Sequence, residues 1–249
     1  MIGSSVHPQT RALHRSHARR YRYAWIGMMG IISTALLLAA YGSFGEVAWS
    51  ALGNAILQTT YRLALAYVIA LIFGVTIALL VGWSPLSDVL FPFFDVLQNL
   101  PSFALIPLFI YFFGYTSEMI ILFAMSSIIW PILFAILTAI KSAHTDLNDA
   151  ATVYGARGLQ RIWYYLAPLS FPAMLTGSIV GIAIGWEAVI GAEIITNVAG
   201  FGDFIKAASA SGISESMIAG TFTILLIVFT LNRLVWAPLL NESAKRYAE

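Results

Sequence analysis

Apolar residues gather along this chain into six runs, and polar residues, glycine and proline collect between them. The runs are Ala24–Ala40, Ile56–Val81, Leu100–Gly114, Glu118–Ile140, Phe171–Ile195 and Ile218–Pro238. Each reads as a helix crossing a bilayer, for which about 20 predominantly apolar residues are needed. A cleaved signal peptide is the rival for the first run. No clear small-x-small cleavage site follows it, so a retained helix is expected. The third run, NLPSFALIPLFIYFFG, carries Pro101 and Pro107. Each proline removes a backbone donor and clashes one turn back, so this helix is expected to be kinked or broken. Broken backbone at membrane depth survives only where protein or a water-filled cavity satisfies it. Both prolines are therefore pathway candidates. Pro131 lies inside the fourth run, a short turn is expected over Trp83–Ser87, and Asn197–Glu215 reads as a Gly- and Ser-rich connection.

Composition supports the same class. Of 249 residues, 59% are hydrophobic and only 10% charged, against about 25% charged in soluble domains. Such a chain cannot clothe its own surface in polar groups, so an all-α polytopic membrane protein is expected. The net charge of +1 gives no bias toward nucleic acid. The absence of cysteine excludes disulfides, thiolate metal sites and cysteine nucleophiles. Three of the four histidines lie in the N-terminal tail, so no metal site is expected.

The longest polar interruption is His144–Pro168, HTDLNDAATVYGARGLQRIWYYLAP. A helix is expected to begin near Asp146. The small residues Ala150, Ala151, Gly155 and Ala156 give it a face that could seat closely on a partner, although a solvated loop helix fits the spacing equally well. Asp149-Ala150-Ala151, three residues, Gly155, and then Pro168 resemble the E-A-A-x3-G-x9-I-x-L-P signature of binding-protein-dependent ABC importer permeases. Asp149 replaces the Glu of that pattern, Tyr165 the Ile and Ala167 the Leu. In those proteins this coupling helix docks on a cytoplasmic ATPase. The resemblance implies the same here for Asp149, Ala150, Ala151, Gly155, Ala156 and Pro168.

Further stretches resemble the nitrate, sulfonate and taurine branch of these permeases, and together they cover roughly residues 50 to 240. They are TTYRLALAYVIALIFGVTIALLVG, the Pro101–Gly114 stretch and WEAVIGAEIITNVAGFG. The resemblance implies the type I importer fold of about six spans and an ATPase dimer that holds ATP and Mg, with no cofactor on this chain. It also implies a second permease subunit, a periplasmic or lipid-anchored solute-binding protein, and a small solute, an anion such as nitrate, a sulfonate, taurine or bicarbonate. No G-x-x-x-x-G-K-[ST] phosphate loop occurs in the sequence, so enzymatic activity is not expected of this chain.

The ionisable residues inside the runs are the remaining candidates. Arg62 would cost about 2.5–3.5 kcal/mol in hydrocarbon, so it is expected to reach the interface or face protein, with a structural role favoured over solute contact. Glu187 and Glu193 lie six positions apart, about 240° around a helix, and so do not form a pair on one face. Each is open to a structural or a pathway role. Gly177, Gly181 and Gly185 form a small-residue stripe suited to close helix contact, within the chain or across a dimer.

Charge sets the expected orientation. With a cytoplasmic N-terminus, the inside segments 1–23, 83–88, 141–167 and 239–249 hold Arg11, Arg15, Arg19, Arg20, Arg22, Lys141, Arg157, Arg161, Lys245 and Arg246, while the outside segments hold only Lys206. That is the positive-inside distribution. The expected organisation is a cytoplasmic tail at 1–23, a membrane domain at 24–238 and a cytoplasmic tail at 239–249, in the cell inner membrane. The basic tail serves as a topogenic anchor or touches anionic lipid. The alternative function is an ATP-independent transporter or channel using the intramembrane carboxylates. A membrane scaffold has no specific feature in its favour.

Overall fold

The computed structural model describes residues 48–84, 87–143, 151–156, 158–212 and 214–247, and among them every regular element is helical. The expected first span, Ala24–Ala40, lies outside the described residues. In order, the helices are α1 (Trp49–Trp83), α2 (Ser87–Gln98), a 3-10 turn at Ser102–Leu105, α3 (Ile106–Phe113), α4 (Ser117–Lys141), α5 (Ala167–Thr196), α6 (Phe201–Ser211), α7 (Ser214–Leu231) and α8 (Ala237–Tyr247). Four stretches are long and apolar enough to cross a membrane: Trp49–Gly82, Ser117–Lys141, Ile162–Thr196 and Glu215–Ser243. A fifth candidate is the pair formed by α2 and Ser102–Phe113, bent by 82° at their junction.

Helix α4 is the centre of the bundle. Met119, Phe123, Ile128, Ile132, Leu133, Ile136 and Leu137 on it are buried against α1 and α5. The glycine stripe of α5 is one reason the helices can approach so closely. A Cβ on Gly177 would stand 2.6 Å from the Pro131 carbonyl oxygen and 2.8 Å from Ile132 Cα. On Gly185 it would meet Leu63 Cδ1 at 2.6 Å and Ile128 Cδ1 at 2.7 Å. The stripe is therefore a contact within the chain. Helix α7 and its continuation leave most of their surface uncovered.

Several expected boundaries shift. The third run is broken, as its prolines require, but the break precedes Ser102. The residues ahead of it, 87–98, to which no element was assigned, form α2. Pro101 stands at the break, whereas Pro107 occupies the first turn of α3, where its missing donor costs nothing. The Asn197–Glu215 connection contains the eleven-residue α6. The expected polar tail from 239 is helical to Tyr247.

The fifth span does not start near Phe171. Helix from Leu159 continues through a π turn, Ile162–Leu166, into α5. A second π turn, Asn232–Trp236, joins α7 to α8. Both turns end at the sequence Ala-Pro-Leu, at Ala167-Pro168 and Ala237-Pro238. In each, the alanine N–H reaches back five residues, to the carbonyls of Ile162 and Asn232 respectively. The proline that follows has no N–H to offer, so a local widening of the backbone ladder accommodates it without a break.

Gly177→Val is expected to destabilise the protein by about 1–3 kcal/mol through overpacking, whereas Gly53→Ala, with nothing within 4 Å of the new methyl, should be neutral or stabilising. Thermal melts in mild detergent compare the two. Equal melting temperatures would show that the α4–α5 contact has slack.

Candidate functional site

Thr59 and Arg62 lie three residues apart on α1 and so share a face. That face points at the end of α5, where Glu193 is completely buried. Arg62 Nη1 stands 2.6 Å from Glu193 Oε1, with the Arg62 side chain 6% exposed. The Thr59 hydroxyl lies 2.8 Å from each carboxylate oxygen. Its single proton serves one of them at a time. The Gly202 N–H donates to Glu193 Oε2 at 2.9 Å, and the Phe201 N–H donates to Thr59 Oγ1 at 2.8 Å. Arg62 also donates from Nε and Nη2 to Ser117 Oγ at 3.3 and 3.1 Å.

This polar knot binds four elements: α1, the start of α4, the end of α5 and the start of α6. An acid near a helix C-terminus is poorly placed with respect to its own helix, but here the carboxylate also sits at the N-terminus of α6, where free N–H groups favour an anion. The turn between them is built for the approach. A Cβ on Gly200 would fall against the Glu193 carboxylate, and one on Gly202 against the Ile190 carbonyl and Glu193 Cβ. Asn197 adopts a left-handed conformation at the end of α5. Lys206 Nζ donates to Ile194 O at 2.9 Å and to Asn197 Oδ1 at 2.6 Å.

Of the pathway candidates, Arg62 and Glu193 are thus brought together as an ion pair facing protein. Glu187 lies apart from them. It is exposed, about 120° around α5 from Gly181 at the middle of the glycine stripe. Pro101 adjoins the 82° bend, and the neighbouring Phe103 ring covers Gly191, where a Cβ would meet Phe103 Cζ at 2.7 Å. Thr59, Ser117, Gly200 and the two N–H donors were not singled out from sequence. The Thr before the Arg and the Gly-x-Gly after the Glu were visible there, yet nothing local joins positions more than 130 residues apart.

In the expected coupling segment, Asp149 and Ala150 lie outside the described residues. Residues 151–153 are helical and end in a glycine cap. Gly155 has φ +76, its N–H donates to Thr152 O at 3.0 Å, and the Ala156 N–H donates to Ala151 O at 3.0 Å. This is the paired 6→1 and 5→2 arrangement of a Schellman motif, and it requires a left-handed residue at its centre. Gly155 thus has a conformational reason for being glycine, in addition to its small size. Among the described residues nothing lies within 4 Å of its absent Cβ, and Val153 and Tyr154 beside it are 84% and 89% exposed. Pro168 sits in the first turn of α5, behind the π turn.

Several membrane-length helices, closed around a buried ion pair, define a polytopic membrane protein. The chain belongs to the binding-protein-dependent transport system inner membrane component family, which it matches over residues 72–236. It is similar to the taurine transport system permease protein TauC of Escherichia coli (strain K12), 29% identical over 68% of this chain and 62% of that protein. It is likewise similar to the nitrate import permease protein NrtB of Leptolyngbya laminosa, at 30% over 70% and 63%. The putative aliphatic sulfonates transport permease protein SsuC of Bacillus subtilis (strain 168) matches at 26% over 86% and 85%. The chain thus spans a little over three fifths of the length of the first two relatives. By family it is an ABC transporter permease of the nitrate, sulfonate and taurine type.

Arg62→Met should lower stability by about 3–5 kcal/mol, since it strands a buried carboxylate, while the double variant Arg62→Met with Glu193→Leu should recover much of that loss. Unfolding of the single and double variants in detergent measures the coupling. Independent, additive effects would show that the ion pair does not hold the knot together.

Proposed function

We propose that this chain is a membrane-spanning permease subunit of an ATP-driven importer and that it moves a small solute delivered by a solute-binding protein. The observation that carries the reading is the family match over 72–236 together with an exposed, glycine-capped turn between two spans. That turn offers Val153 and Tyr154 outward on a rigid support, as a docking knob for a separate ATPase must be offered. The distribution of lysine and arginine supports a cytoplasmic position for it and for both termini. The full domain would have about six spans, 24–238, between tails at 1–23 and 239–249.

On this reading, two permease subunits surround the pathway and two ATPase subunits, which bind ATP and Mg, close and open beneath them. Residues 149–156 carry that motion to α4 on one side and, through Leu159–Leu166, to α5 on the other. The change is a rigid-body transition between two access states. The relatives' names point to small anions or zwitterions: taurine, nitrate, aliphatic sulfonates and bicarbonate. The ATP-independent alternative has less support, because one of its two carboxylates, Glu193, is already tied to Arg62.

Affinity purification of the tagged chain in mild detergent should bring down a stoichiometric ATPase. Gly155→Glu should abolish that association while leaving membrane insertion intact. Gly155→Ala separates the two roles of the glycine. It adds only left-handed strain, about 1–2 kcal/mol, and should weaken coupling without abolishing it. A chain that purifies alone would overturn the importer reading.

A further inference from the structure

Helix α5 carries two carboxylates in opposite circumstances. Glu193 is buried and fully engaged. Glu187 lies about 9 Å along the axis from it at 1.5 Å per residue, and is exposed with no hydrogen bond or ion pair among the described residues. A bare carboxylate facing lipid at that depth is strongly disfavoured, so the face that bears it is turned toward water or protein. A second observation points the same way. Gly191, one turn beyond Glu187 on the same face, is covered by Phe103 of the 3-10 turn that follows the 82° bend. Irregular backbone of that kind is tolerated at membrane depth where protein or a water-filled cavity satisfies it. An unpaired charge and a broken helix thus meet on one side of the bundle.

The cation nearest in kind offers no compensation. Arg62 is committed to Glu193 on the far side of α5. A solute that is only an anion would meet at Glu187 a like charge with no partner. A solute bearing an ammonium or protonated amine would meet its complement.

We propose that Glu187 lines the translocation pathway and recognises a cationic nitrogen on the solute. The transported class is then a zwitterion or amine, such as an aminosulfonate, rather than a bare inorganic anion. The proposal rests on the importer reading above and narrows it.

The chain has no cysteine, so Glu187→Cys carries a single thiol. In membrane vesicles, that thiol should react with a membrane-impermeant maleimide, and a Val180→Cys control one face-turn away reports how far water reaches. In cells expressing the complete importer, taurine uptake should exceed nitrate and bicarbonate uptake. Glu187→Gln should lower taurine uptake by about tenfold or more, the usual effect of losing a charged partner, and should leave assembly with the ATPase unchanged. A thiol that stays unlabelled, a Glu187→Gln variant with normal amine uptake, or brisk nitrate uptake by the intact importer would each overturn the proposal. A labelled thiol in a chain whose uptake needs no ATP would instead overturn the importer reading.

Discussion

The fold depends on keeping one ion pair dry. Arg62 and Glu193 sit where water is scarce, and a buried charge is tolerable only when its partner and its remaining hydrogen-bonding positions are supplied. That requirement explains features that otherwise look unrelated. Thr59 must precede Arg62 by one turn, Ser117 must open α4 beneath the guanidinium, and the chain after α5 must turn back so that the N–H groups of α6 reach the carboxylate and the threonine. The glycines at 200 and 202 are small because the carboxylate and a backbone carbonyl occupy the space their side chains would need. Stability of the knot and uniqueness of the helix arrangement are thus one constraint.

The two carboxylates of α5 divide the work of the helix. One face is spent on internal contact: three glycines let α4 and α1 settle against its backbone, and Glu193 ties its end. Another face holds Glu187, which has no partner among the described residues, and Gly191, which Phe103 covers. Since helix–helix association in a membrane gains little from the hydrophobic effect, close contact through small residues and satisfied polar groups must supply the order. Helix α5 supplies both, through its glycine stripe and through Glu193.

The class of the protein and the approximate position of four long spans were legible in the sequence, because run length and lipid thickness are directly related. So was the fracture near Pro101, and so were the separate faces of Glu187 and Glu193, which follow from helical geometry alone. The helix at 87–98 was not assigned, since the turn was expected over Trp83–Ser87 and the third span only from Leu100. The eleven-residue α6 was missed because the glycines and serines in and around it resemble loop chemistry; Gly200 is there to clear the Glu193 carboxylate and Gly202 a backbone carbonyl. The pairing of Arg62 with Glu193 joins distant positions through tertiary contact, and no local pattern encodes it. Gly155 was recognised from its spacing, but its left-handed backbone became evident only with the hydrogen bonds around it.

The two π turns, each ending at Ala-Pro-Leu, have a consequence for how these helices present themselves. One extra residue in a turn rotates everything beyond it by about 100° relative to an uninterrupted helix. The chain from Leu159 to Thr196 therefore behaves as two cylinders set at different phases, one before the π turn and one after it. A substitution on one cylinder changes what it shows to its surroundings without turning the other. What Leu159–Arg161 presents and what α5 presents can thus be adjusted separately, although a single continuous helix carries both.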